Sequence, residues 1–113
     1  MDDKQVKNIK SGVIKLLKKK KQYDKETDDM LIDSLIFNLK LIEDSKADIL
    51  TRGTMVNIGK EVPYYQVNFS VGVFHNAVKS INQILKQLGI EKARASNELE
   101  QDPMQAFNEF MNN

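Results

Sequence analysis

The sequence has no cysteine and no tryptophan, and its 113 residues include a single histidine. Without cysteine, neither a disulfide nor a zinc–thiolate site can reinforce the core. A lone histidine leaves no imidazole pair to share a metal. There is no GxxxxGK[ST] loop, so no nucleotide-phosphate cradle is recognisable. No apolar run approaches the ~18 residues that a membrane-spanning helix needs. The start, MDDKQVKNIK, lacks the apolar stretch that precedes a signal-peptide cleavage site. These absences lead us to expect a soluble, intracellular-type chain with no catalytic activity, no cofactor, no metal and no membrane partner.

What is present is charge, arranged in blocks. The net charge is +1, but residues 1–23 hold eight lysines against Asp2 and Asp3, residues 24–51 are acidic, residues 52–96 are basic and residues 97–113 are acidic. Such alternation suggests different surfaces for different partners. The densest positive stretch is KLLKKKKQY, residues 15–23. Lys18, Lys19, Lys20 and Lys21, with Lys15, Lys10 and Lys7, concentrate charge that can displace counterions from a phosphate backbone. No aromatic pair for base stacking and no base-reading arginine accompanies them. Alone, the run supports charge-driven, weakly sequence-specific DNA binding, with an ordinary solvated helix face as the alternative.

Residues 3 to about 21 read as a helix, with Val6, Ile9, Val13 and Leu16 at helical steps. Gly12 within it is expected to make the helix fray or bend. From Asp24, a plausible cap followed by Glu26, Asp28 and Asp29, a second helix runs to Arg52 and stops at Gly53. Ile32, Leu35, Leu39 and Ile42 mark one face of it, but Met30, Phe37 and Leu41 fall well around the cylinder. A helix apolar over most of its circumference needs cover on several sides. Neighbouring copies of the chain are the expected cover, with Met30, Leu31, Phe37, Leu41, Phe74 and Ile81 at the contacts.

Next, Val56 and Ile58 alternate with polar residues, Gly59-Lys60 can turn, and Val62 with Tyr64 can pair back. Pro63 confines any strand there to an edge. A third helix starts near Asn68 or Ser70 and ends at Gly89, with Phe74, Ala77, Val78, Ile81, Ile84, Leu85 and Leu88 on its core face. His75 shares the opposite stripe with Lys79, Asn82 and Lys86. It reads as a surface residue rather than a catalytic base, and Lys79 and Lys86 are further candidate DNA contacts. The closing DPMQAFNEF has Asp102 to cap, Pro103 for the first helical position and Gln105 to close a capping box. Met104, Phe107 and Phe110 then line one side of a short helix suited to docking on another protein, with packing back on the chain's own core as the alternative.

The expected fold is mainly α: a long helical hairpin with a short β-hairpin or extended loop between its two main helices. A basic N-terminal helix occupies residues 1–23, a helical oligomerisation core residues 24–90, and a flexible acidic tail with its docking helix residues 91–113. A helix-turn-helix regulator is disfavoured, because only one helix precedes Asp24 where that motif needs two.

The order of these parts resembles the short small subunits of phage terminase. The matching positions are Gly53, Gly59, Asn68, Leu88-Gly89-Ile90 and, loosely, Arg94-Ala95-Ser96, with the D-P-x-x-x-F ending at Asp102, Pro103 and Phe107. Two departures stand out. Phe69 occupies the place of the family's proline after Asn, and Glu91-Lys92-Ala93 replaces a T-P-S segment. The resemblance implies an α-helical homo-oligomer, a ring, in the cytoplasm of an infected bacterial host. It would recognise viral DNA, present it to the terminase large subunit, which holds the ATPase and nuclease, and catalyse nothing itself. A helical protein–protein adaptor without nucleic-acid binding is the rival expectation.

Overall fold

The computed structural model describes residues 1–90 and 103–112. Local chemistry sets the ends of its helices. Helix α1 (Asp3–Lys19) opens on a reciprocal capping box. The Asp2 carboxylate accepts from the Gln5 amide at 2.8 Å, and the Gln5 side chain accepts from the Asp2 amide at 3.0 Å. Each satisfies a backbone donor that the first turn leaves without a partner. Asp24 caps α2 (Lys25–Arg52) by accepting from the Glu26 amide. Gly53 ends it with φ 84°, its N–H donating to Ile49 O at 2.7 Å. That left-handed conformation is costly for any residue with a Cβ.

Strands β1 (Met55–Asn57) and β2 (Tyr65–Val67) pair antiparallel, Met55 opposite Val67 and Asn57 opposite Tyr65. Tyr64 pairs back as the alternation suggested, its carbonyl accepting from the Ile58 amide at 2.8 Å, but the strand itself starts at Tyr65 and Val62 does not join it. Asn57 explains the shift. Its side-chain oxygen accepts from the Gly59 amide at 2.9 Å and the Tyr64 amide at 3.1 Å, so residues 58–64 form a side-chain-stapled turn. Helix α3 (Phe69–Gln87) follows, capped by Asn68, and runs back antiparallel along α2. Helix α4 (Gln105–Asn112) packs against α1. The described residues are therefore mainly helical, with one small two-stranded sheet.

The core has a simple origin. Ile32, Leu35, Leu39 and Ile42 of α2 meet Ala77, Ile81 and Ile84 of α3, with Leu88 just beyond it. Ile9, Val13 and Leu17, one per turn of α1, close it from another side, and Met104 and Phe107 close it from a third. Several sequence expectations change here. Ile81 is only 2 % exposed and lies inside the chain's own core. Leu31, Leu41 and Phe74 are half-buried against the same core. More of α2's apolar surface is covered within one chain than its circumference suggested, because α1 contributes a full apolar stripe. Met30 and Phe37 stay uncovered, 74 % and 62 % exposed.

The end of the chain brings a second correction. Met104 and Phe107 are 1 % and 5 % exposed and Phe110 is half-buried, so this side of α4 is turned inward rather than displayed. The proposed cap Asp102 and the acidic tether lie outside the described residues. Gly12 also acts differently from expectation. Helix α1 runs through it without a break, and the Pro103 carbonyl sits where a Cβ would be. Its cost in helix propensity accompanies a close seat for the segment leading into α4.

At the opposite end of α2, a polar clamp fixes where α3 turns back. Arg52 grips Asp48 with two donors, Nε at 2.6 Å and Nη2 at 2.8 Å, and the Ser70 hydroxyl donates to the same carboxylate at 2.6 Å. Asn68, fully buried, donates to Gly53 O at 2.9 Å and accepts from the Ser70 amide at 2.9 Å and from Arg52 at 3.3 Å. Its own amide donates to Thr54 O. Arg52 foremost, and then Ser70, hold the Asp48 carboxyl well below the usual carboxylate range.

Two outcomes follow. Phe107→Ala should destabilise the fold by about 3–5 kcal/mol, the usual cost of emptying an aromatic site, measurable by urea unfolding. A displayed docking residue would cost almost nothing. For the clamp, a carboxyl depressed on folding contributes stability above its ordinary value of 3.8 and loses it as pH falls below that. Unfolding midpoints followed from neutral to strongly acidic pH should therefore drop below that value in the native chain. Asp48→Asn should be less stable at neutral pH and show a shallower acid drop.

Candidate nucleic-acid interface

The molecule is long, 61 × 29 × 24 Å, and α2 spans most of that length at ~42 Å for its 28 residues. One end carries the α1–α2 turn and the other the β-hairpin. Lysines gather along α1 and at the turn. Lys4, Lys7, Lys15 and Lys18, with Ser11 between them, recur at steps of three and four and are all exposed, opposite the buried Ile9–Val13–Leu17 stripe. Lys19 completes the last turn of α1, and Lys20 and Lys21 continue the run, exposed, into the turn. Lys21 has φ 58°, the one non-glycine residue in the left-handed region among those described.

Neighbouring groups shape this end. The Lys18 ammonium lies 5.5 Å from the centre of the Tyr23 ring. The Tyr23 hydroxyl donates to Asp29 at 2.6 Å, and this bond chiefly pushes its phenol up to about 12. Lys10 points along α1's flank to Asp33 of α2, at 2.9 Å. It is thus drawn toward α2, off the Lys4–Lys7–Lys15–Lys18 stripe. Asp24, Glu26, Asp28 and Asp29 at the start of α2 border the lysine run and limit its field on that side.

The lysines of α3 join the group in part. A Cβ at Gly89 would touch the Gln22 side chain, which places the C-terminal end of α3 beside the α1–α2 turn. Lys86, in the last turn of α3, therefore lies at the same end as Lys18–Lys21. Lys79 sits seven residues earlier, ~10 Å along the helix. His75, Lys79, Asn82 and Lys86 are all exposed, and the His75 ring meets only the edge of Phe74 at 6.1 Å. Lys4 was overlooked in the sequence, although its step of three from Lys7 was the available signal. Among the described residues, no group of three or more His, Asp or Glu could hold a metal ion, and no helix is long and apolar enough to cross a membrane.

No protein-family model, curated protein or solved structure matches the chain. The arrangement can bind a polyanion through a face of ammonium groups. It has no arginine in the lysine stripe to read base edges, so affinity there would come from phosphates rather than sequence. Lys7→Ala with Lys15→Ala should leave the fold intact, since both side chains are exposed. The pair should weaken duplex DNA binding equally for unrelated sequences in an anisotropy titration. A change confined to one sequence would contradict a phosphate-only contact.

Proposed function

We propose that this chain is a homo-oligomeric DNA-binding adaptor of the type represented by phage terminase small subunits. In this reading it recognises double-stranded viral DNA in the cytoplasm of the infected bacterium. It regulates a large ATPase/nuclease subunit and is not itself an enzyme. The observation that carries the reading is the exposed lysine stripe of α1, continued by Lys19–Lys21 at one end of an elongated molecule. The uncovered Met30 and Phe37 on α2 support self-association, and the order of motifs along the chain supports the terminase comparison. Met104, Phe107 and Phe110 meet the large subunit in this scheme only after α4 leaves its seat on α1, because Met104 and Phe107 offer no surface while buried.

A helical protein–protein adaptor is the second reading. It is favoured by the pairing of Lys10 with Asp33 and by the acids that flank the lysine run.

Titration with random duplex DNA at low and moderate salt separates the two. The adaptor for DNA should bind with a steep salt dependence. Changing Lys18, Lys19, Lys20 and Lys21 to Ala should flatten the log–log slope by up to ~0.9 for each phosphate no longer neutralised. Absence of DNA binding at low salt would leave the protein-adaptor reading, and an unchanged slope would move the DNA contact toward Lys79 and Lys86.

A further inference from the structure

Helix α4 is seated beside the lysine stripe, and one residue of α1 makes room for it. A Cβ at Gly12 would overlap the Pro103 carbonyl, so any side chain there must push the segment that enters α4 away from α1. The seat is also bordered by open space. Asn8, Ser11 and Lys15 of α1 line a cleft of about 400 Å³ together with Gln105 and Glu109 of α4. Phe110 and Met111 line another of about 340 Å³ with Ile42, Leu50 and Phe74. Met104 and Phe107 are thus the buried anchors of a helix whose flanks are not close-packed. Such an element opens more readily than one packed on all sides.

The first cleft joins α4 to the proposed DNA face. Asn8, Ser11 and Lys15 are exposed, and Lys15 belongs to the Lys4–Lys7–Lys15–Lys18 stripe. Helix α4 brings the opposite sign to that rim, since residues 103–112 carry Glu109 and no lysine or arginine. Glu109 is exposed and accepts from Gln105 Nε2 at 2.9 Å, a neutral donor that leaves the carboxylate's charge in place. A duplex laid on the stripe is wider than α1. Its major groove alone is ~12 Å across, against the ~10–12 Å of a helix with its side chains. The duplex therefore reaches the rim where Glu109 stands, and a phosphate there is repelled.

We infer that α4 is an autoinhibitory latch: seated, it restrains phosphate polyanions at the lysine face, and a polyanion bound there loosens it. The two effects are one coupling. Whatever α4 subtracts from polyanion affinity, the polyanion subtracts from the hold on α4. The latch rests on the DNA-binding part of the proposed function and orders its events. DNA arrives first, Met104 and Phe107 are uncovered second, and a protein partner meets them only on loaded subunits.

The sequence has no cysteine, so Met104→Cys places a single thiol at a buried anchor, and its alkylation rate reports how often α4 is unseated. That rate should rise when the chain is saturated with duplex DNA. It should rise without DNA when Gly12→Ala is added, while circular dichroism shows the chain still helical, alanine being the better helix former. In anisotropy titrations at low salt, Gly12→Ala should bind DNA about two- to fivefold tighter than the wild-type chain, the weight of one carboxylate several ångströms from a phosphate in water. Glu109→Gln, at an exposed position, should shift binding the same way with α4 still seated. Should Gly12→Ala lose its helix content, Glu109→Gln decides alone. With DNA bound, an unchanged alkylation rate or no gain in affinity overturns the latch and spares the DNA role. Inorganic polyphosphate, run alongside, keeps the two apart. If DNA does not bind but polyphosphate does and speeds alkylation, the latch stands and the DNA role falls. No response to either polyanion sinks both.

Discussion

Asn68 decides the shape of this protein. It is fully buried at the point where the chain leaves the hairpin, and it ties together Gly53, Thr54, Ser70 and Arg52. A buried amide of this kind stabilises only when its donors and acceptors are met, and costs about 1–3 kcal/mol when one is not. Here every partner comes from a segment that must be in place for α3 to lie back along α2. The clamp thereby holds one end of the helical hairpin while apolar packing between α2 and α3 fills the length below it. The hairpin is thereby pinned at one end of the long axis, with the lysine-bearing turn at the other.

That separation organises the functional reading. A molecule with ammonium groups on one flank and largely apolar surface at the far end offers different residues to a polyanion and to a protein. The proposed adaptor role makes use of this division. The acids at the start of α2 fit the same scheme. They serve the helix dipole and fix Tyr23, and they confine the lysine face to α1 and the turn.

The helix ends were legible in the sequence because capping is short-range chemistry: Asp24, Arg52 with Gly53, and Asn68 all act on neighbours within a few residues. The apolar stripes were legible for the same reason. What covers each stripe was not. The spacing of Met104, Phe107 and Phe110 says that one side of a helix must be buried, and says nothing of whether the cover is a partner or α1. Ile81 and part of α2 are covered within the chain in the same way. Gly12 looked like a flaw because its use, a close approach by Pro103, joins positions far apart in the chain. Asn68 could be recognised as a cap, but its bonds to Gly53 and Arg52 exist only once the hairpin has closed. The lysine stripe was half seen, since the run from Lys18 to Lys21 drew attention from the earlier turns that include Lys4.

The seat of α4 on α1 has a bearing on how any partner competes for that helix. Only twelve residues separate Ile90 from Pro103. Because α4 and α1 belong to one chain, their contact is intramolecular and is favoured by a high effective concentration. A protein that seeks Met104 and Phe107 must therefore displace a resident competitor far more concentrated than free partners are in a cell. Weak, passing encounters leave α4 where it is, and only a tight or multivalent grip draws it away.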